Sequence, residues 1–147
     1  MTAAPTHLKL QPEFYLLVFL VSIGFFMQGL DTTIINTALP AMATSLQEDP
    51  LKMHGVVISY VLAVAACIPL SGWFSDRFGV RNTFFAAIVI FTTASIGCAL
   101  SNSFNTLIIF RVLQGIGGAF LLPVGRLAML RIIPREQFLS AMSTMSL

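Results

Sequence analysis

Two charged side chains stand inside long apolar runs, where a charge is expensive. Asp31 is the only charged residue between Glu13 and Glu48, and Arg111 lies inside the last long apolar run, with Arg126 near its far end. A run of about 20 apolar residues crosses a bilayer as a helix. A carboxylate near mid-bilayer costs roughly 2.5–3.5 kcal/mol on insertion scales. Such a group ordinarily marks an ion pathway or a substrate site and has a partner close by. Two readings of Asp31 are open. The helix ends at Leu30 and Asp31 caps a short interfacial helix through its side-chain oxygen, or the helix continues and the acid is internal. Ile34, Ile35, Ala38 and Leu39 keep the segment apolar beyond the acid, and Gly24, Gln28, Asp31, Thr32 and Asn36 fall on one side of a continuous helix. Arg111 has two readings as well: it snorkels to the outer surface, or it faces inward. Arg111, Gln114, Gly115, Gly118 and Gly125 share one helix face, and its glycines would let a neighbouring backbone come close. Counted from their helix ends, Asp31 and Arg111 sit at similar depth, roughly 8–10 Å from the outer surface at 1.5 Å per residue.

The elements that must hold these residues are membrane spans. The chain has 147 residues, of which 56% are hydrophobic and only 10% charged. A soluble domain carries about 25% charged residues, so the fold class is all-α integral membrane. The net charge of +2 gives no sign of nucleic-acid binding. Cys67 and Cys98 lie in separate apolar runs and His7 and His54 are isolated, so neither a metal site nor a redox pair is expected. Gly115-Ile116-Gly117-Gly118 lacks the spacing and the strand context of a dinucleotide loop. There is no Walker motif, zinc ligand set or catalytic triad, and the chain is not read as an enzyme.

Residues 1–13 read as a tail without a signal-peptide pattern. Spans are expected at about 14–38, 55–74, 83–100 and 106–130, and a fifth starts near Gln137 and is truncated at Leu147. Pro40 and the cluster Gln47-Glu48-Asp49-Pro50 are expected to break the first helix, and Pro69 to kink the second. The charged segment Ser75 to Asn82 reads as a turn, Ser101 to Asn105 as a short polar turn, and Arg131 to Glu136 as a loop. Lys9, Arg77, Arg81, Arg126, Arg131 and Arg135 fall on one side and only Lys52 on the other, which predicts a cytoplasmic N-terminus.

Three motifs in series then carry a resemblance. Leu30-Asp31-Thr32-Thr33-Ile34-Ile35-Asn36-Thr37-Ala38-Leu39-Pro40, Gly72-Trp73-Phe74-Ser75-Asp76-Arg77-Phe78-Gly79-Val80-Arg81 and Arg111-Val112-Leu113-Gln114-Gly115-Ile116-Gly117-Gly118-Ala119 resemble, in order, the first-span, cytoplasmic-loop and fourth-span motifs of the major facilitator superfamily, in its fourteen-span drug:proton antiporter branch. The resemblance implies the first four spans of that fold and the start of a fifth. It also implies alternating access around a central site and proton-coupled efflux of small molecules across the bacterial inner membrane. The coupling agent would be the proton gradient, with no cofactor. The partners would be membrane lipid, a small-molecule substrate and the missing C-terminal part of the transporter, with no nucleic acid.

Burial favours a neutral carboxyl and a close arginine favours the carboxylate. With Asp31 and Arg111 as the proton-coupling pair, a balance of the two would let the acid take up a proton at one face and release it at the other. Gln28, Thr32, Asn36 and Gln114 are candidates for lining the substrate path, and Gly115 and Gly118 for helix packing. Asp76 and Arg77 either cap helix ends or, with Gly72, Gly79 and Arg81, form a conformational latch in which the two glycines allow tight packing. There are departures from the family pattern. Asn82 stands where a second basic residue is common, and the chain stops before the glycine- and proline-rich motif of the fifth span. Two other readings of the whole remain: a small four-helix transporter working as an oligomer, and a truncated membrane fragment that transports nothing.

Overall fold

The computed structural model describes residues 12–132, which form four helices: α1 (Pro12–Leu46), α2 (Pro50–Phe78), α3 (Val80–Ala99) and α4 (Phe104–Ile132). No strand occurs among the described residues. All four helices are long and apolar enough to cross a membrane. In hydrocarbon the backbone must satisfy itself, which only helices and closed barrels achieve. The hydroxyls follow the same rule: Ser22, Thr33, Ser75 and Thr93 each donate to the carbonyl four residues back, at 2.7–3.0 Å.

The helices outrun the expected spans. Pro40 does not break α1, which continues to Leu46. A proline removes one N–H from the ladder, here the one Asn36 C=O would accept, and the rungs on either side persist. The helix ends instead at Gln47, whose φ is 54°. Glu48 N donates to Ala43 O at 3.0 Å and Gln47 N to Thr44 O at 3.3 Å, the paired bonds of a Schellman stop. The second helix begins at Pro50 rather than near residue 55, because Asp49 caps it: its carboxylate accepts from Leu51 N at 2.9 Å and Pro50 sits in the first turn. It runs through Pro69 without interruption, as α4 runs through Pro123.

The expected turn from Ser75 to Asn82 contracts to one residue. Gly79 is at once the last cap of α2 and the first cap of α3, with φ 85°. That conformation is readily open only to glycine. Its N–H donates to Ser75 O at 3.0 Å, and Thr83 Oγ1 donates to Gly79 O at 2.8 Å and Phe74 O at 3.2 Å. The remaining turn, Ser101 to Ser103, closes where Ser103 Oγ accepts from Thr106 N at 3.3 Å. Arg131 lies within α4, not in a loop. The tail with Lys9, the segment carrying Arg135 and the fifth helix expected from Gln137 lie outside the described residues.

The fourth helix is the most enclosed and packs against the other three. Its glycines bring the neighbours close. A Cβ on Gly115 would stand 2.7 Å from Tyr60 O and Ala63 Cβ of α2, and one on Gly117 would stand 2.8 Å from Phe91 N of α3. Two apolar cores result. One gathers Val21, Phe84, Phe91, Phe120, Leu121 and Met129, and the other Ile35, Leu39, Met53, Val56 and Leu107. On α1 Asp31 falls between Val21 and Ile35, and on α4 Arg111 and Gln114 fall between Leu107 and Phe120. The polar residues therefore sit at the level between the two cores.

Candidate functional site

Asp31 and Arg111 meet. Arg111 Nη1 donates to Asp31 Oδ2 at 2.8 Å, with side-chain exposures of 5% for the arginine and 14% for the acid. Gln114, one turn along α4 and fully buried, closes a triangle. Its Nε2 donates to Asp31 Oδ1 at 2.8 Å and its Oε1 accepts from Arg111 Nη1 at 2.8 Å. Every helix contributes to this centre. The Tyr60 ring of α2 lies 5.6 Å from the Arg111 guanidinium, and the Cys98 thiol of α3 donates to Gln114 Oε1 at 3.7 Å. Arg111 Nε is buried without a hydrogen-bond partner. This geometry decides between the open readings. Asp31 is no cap, because α1 runs on to Leu46, and Arg111 does not snorkel, because its guanidinium is buried.

Desolvating two charges takes several kcal/mol per ion, so a buried pair adds little net stability. Removing one partner, however, leaves the other charge uncompensated.

The expected path residues divide. A cavity of about 70 Å³ beside the ion pair is lined by Asp31, Thr32, Asn36, Tyr60 and Arg111. Thr32 Oγ1 and Asn36 Nδ2 border it but donate back to the α1 carbonyls of Gln28 and Thr32, at 3.1 and 3.0 Å. Gln28 lines a second cavity of about 250 Å³ between α1, α2 and α4. Gln114 borders neither and serves as the clamp on Asp31. Tyr60 stands at the partition, its hydroxyl receiving Gln28 Nε2 at 3.5 Å.

The candidate latch is rearranged. Gly72 and Gly79 have no close neighbour, since a Cβ on either would meet nothing within 4 Å among the described residues. Gly79 is required by its φ, and Gly72 lies exposed in this four-helix segment. Among the described residues Asp76 makes no capping hydrogen bond; it pairs with Arg131 near the C-terminal end of α4, 3.6 Å away, both side chains largely exposed. Arg77 lies over the Trp73 ring at 5.6 Å, and Arg81 is exposed. Sequence reasoning missed Tyr60, Gly117 and Arg131. Only Gly117, inside a glycine cluster, carried a signal in its spacing.

The family profile described as Major Facilitator Superfamily matches residues 21–147. The chain belongs to the Major Facilitator Superfamily. It is similar over its whole length to "Putative multidrug resistance protein MdtD" of Salmonella typhimurium (strain LT2) and of Salmonella heidelberg (strain SL476), 55% identical over 147 residues in each case. It spans 30% of the length of those relatives. As a superfamily member with four membrane-type helices it is a multi-pass membrane protein.

Proposed function

We propose that this segment is the opening part of a proton-coupled exporter of small molecules in the bacterial inner membrane, with its N-terminus in the cytoplasm. Asp31 is the proton-binding group, Arg111 its counter-ion and Gln114 the residue that holds both. Protonation of Asp31 removes the negative charge that holds Arg111 and weakens the triangle. That change biases the bundle toward its other orientation, in the rocking motion by which such transporters alternate access. A substrate in the cavity beside the pair competes with the proton for the same set of contacts. Asp76 with Arg131, flanked by Arg77 and Arg81, acts as a latch at the inner helix ends. The coupling agent is the proton gradient and no cofactor enters.

The observation that carries the reading is the buried Asp31–Arg111–Gln114 triangle inside helices that otherwise have no reason to bury charge. The relatives' printed name, a multidrug resistance protein, supports efflux as the direction. The test uses a full-length chimera in which residues 1–147 replace the matching segment of a relative. Everted vesicles are energised with a proton gradient and offered a panel of fluorescent dyes. Compared per inserted molecule, Asp31→Asn is expected to abolish gradient-driven dye transport. Normal transport by Asp31→Asn, or none of the dyes moved by the unmodified chimera, overturns the reading.

A further inference from the structure

The cavity of about 250 Å³ is separate from the ion pair and has its own chemistry. Val64, Ile68 and Leu122 make its walls apolar, Gly118 and Gln28 bound its outer end, and Arg126 stands at its inner end. Gly118 to Arg126 is eight residues of α4, or about 12 Å at 1.5 Å per residue. Among the described residues Arg126 is the only charged one lining it. Arg77 rests on Trp73 and Arg131 pairs with Asp76, whereas Arg126 has neither kind of partner among the described residues. The one intramembrane acid, Asp31, lines the other cavity and has both oxygens occupied by Arg111 and Gln114. Among the described residues nothing neutralises Arg126, whose side chain is exposed, so this end of the larger cavity is positive. At the opposite end Gln28 Oε1 is buried without a hydrogen-bond partner.

We infer that this cavity is a binding site for an amphipathic anion: an apolar body along Val64, Ile68 and Leu122, with a carboxylate, sulfonate or phosphate against Arg126. The inference rests on the exporter reading only in that it names the class of solute, and the site can be tested without transport. Its volume lies just below the range of about 300–1,000 Å³ usual for drug-sized ligands, which suits a bicyclic aromatic acid. A cationic drug would place its charge against an unpaired guanidinium and is disfavoured. A bilayer lipid carries the same chemistry, an acyl chain and an anionic headgroup, so the experiment must separate the two sources.

The full-length chimera is reconstituted in phosphatidylcholine nanodiscs, and equilibrium binding is measured for three matched probes: 2-naphthoate, 2-naphthamide and 2-naphthylmethylammonium. The carboxylate is expected to bind tightest and the ammonium weakest. Arg126→Gln should weaken the carboxylate roughly tenfold, or about 1.4 kcal/mol, to the level of the amide. Arg126→Lys should keep most of that affinity, and Leu122→Trp, which fills the cavity, should weaken all three probes. A parallel set of nanodiscs contains phosphatidylglycerol. Loss of naphthoate binding there, dependent on Arg126, identifies a lipid headgroup as the resident anion, and unchanged binding identifies a soluble solute. Equal or tighter binding of the ammonium probe, or no response to Arg126→Gln and Leu122→Trp, overturns the inference. Naphthoate binding without any efflux would sink the exporter reading alone, and dye efflux without naphthoate binding would sink only this one.

Discussion

Gln114 donates to the one oxygen of Asp31 that Arg111 leaves free, at 2.8 Å, while its own carbonyl accepts from Arg111 at the same distance. The amide thus bridges the two charges and is satisfied at both ends. It holds the carboxylate in one orientation and lines neither of the two cavities.

It follows that Gln114→Leu should be more damaging than its neutral chemistry suggests. The substitution leaves a buried carboxylate oxygen without its donor, a loss of about 1–3 kcal/mol. Thermal unfolding followed by circular dichroism in detergent should show a lowered midpoint. Gln114→Glu should be worse, because it brings a second carboxylate against Asp31. A Gln114→Glu variant as stable as the parent would contradict the triangle.

The charges of Asp31 and Arg111 should be interdependent in membrane insertion. Breaking a buried pair from one side costs about 3–5 kcal/mol, whereas removing both charges is often close to neutral. The membrane-integrated fraction should therefore fall for Asp31→Asn and for Arg111→Gln, each alone. It should recover in the double variant. Additive losses in the double variant would mean that the two side chains act separately.

Three glycines of α4 predict an order of tolerance. A Cβ on Gly117 would press on the backbone of α3, with Phe91 N at 2.8 Å and Ala87 O at 3.0 Å, and neither can swing away. One on Gly115 would meet Tyr60 O and Ala63 Cβ of α2, both at 2.7 Å. One on Gly118 would meet the Tyr60 hydroxyl at 2.8 Å, the far end of a side chain. Alanine at 117 or 115 should thus cost about 1–3 kcal/mol by overpacking, and alanine at 118 less. Tyr60→Phe should relieve Gly118→Ala and should not relieve Gly117→Ala. Unfolding midpoints of the five variants test both statements, and an identical effect at all three glycines would refute them.

The pattern of what was legible beforehand has a physical cause. Asp31 and Arg111 were visible because a charge in an apolar run is too expensive to be incidental, and the four spans because hydrocarbon demands long uncharged stretches. The helix ends were less visible. Pro40 and the charged residues from Ser75 to Phe78 read as breakers by the standards of water, but a helix leaving the bilayer keeps its ladder until a specific stop such as Gln47 or Gly79. Tyr60 gave no signal, because a tyrosine in an apolar run looks like packing until its ring is found against a guanidinium. The Asp76–Arg131 pair joins positions far apart in sequence, and only the close packing of α2 on α4 brings them together.

The orientation in the membrane is open to a direct check. Asn82 follows the α2–α3 connection and Asn102 lies in the α3–α4 turn, both exposed. With Cys67 and Cys98 replaced by serine, a cysteine at position 102 should react with a membrane-impermeant maleimide on intact cells. A cysteine at position 82 should react only after permeabilisation, as the arginine bias requires. The reverse pattern would invert the topology.

The last expectation concerns residues 1–147 expressed by themselves. They span 30% of the length of their relatives, and alternating access needs a second bundle to move against the first. The cavity beside Asp31 and the polar edge of Thr32 and Asn36 are exposed in this four-helix unit. Polar groups left open to lipid cost several kcal/mol. Copies should therefore associate along this face to cover it, and they should transport nothing. Crosslinking through a cysteine at position 32 or 36 would report the association. Dye efflux from vesicles holding only this chain, against vesicles from cells with an empty vector, would report the transport. Gradient-dependent efflux above that control would show that four helices suffice, and would make a small oligomeric transporter the better account of the ion pair.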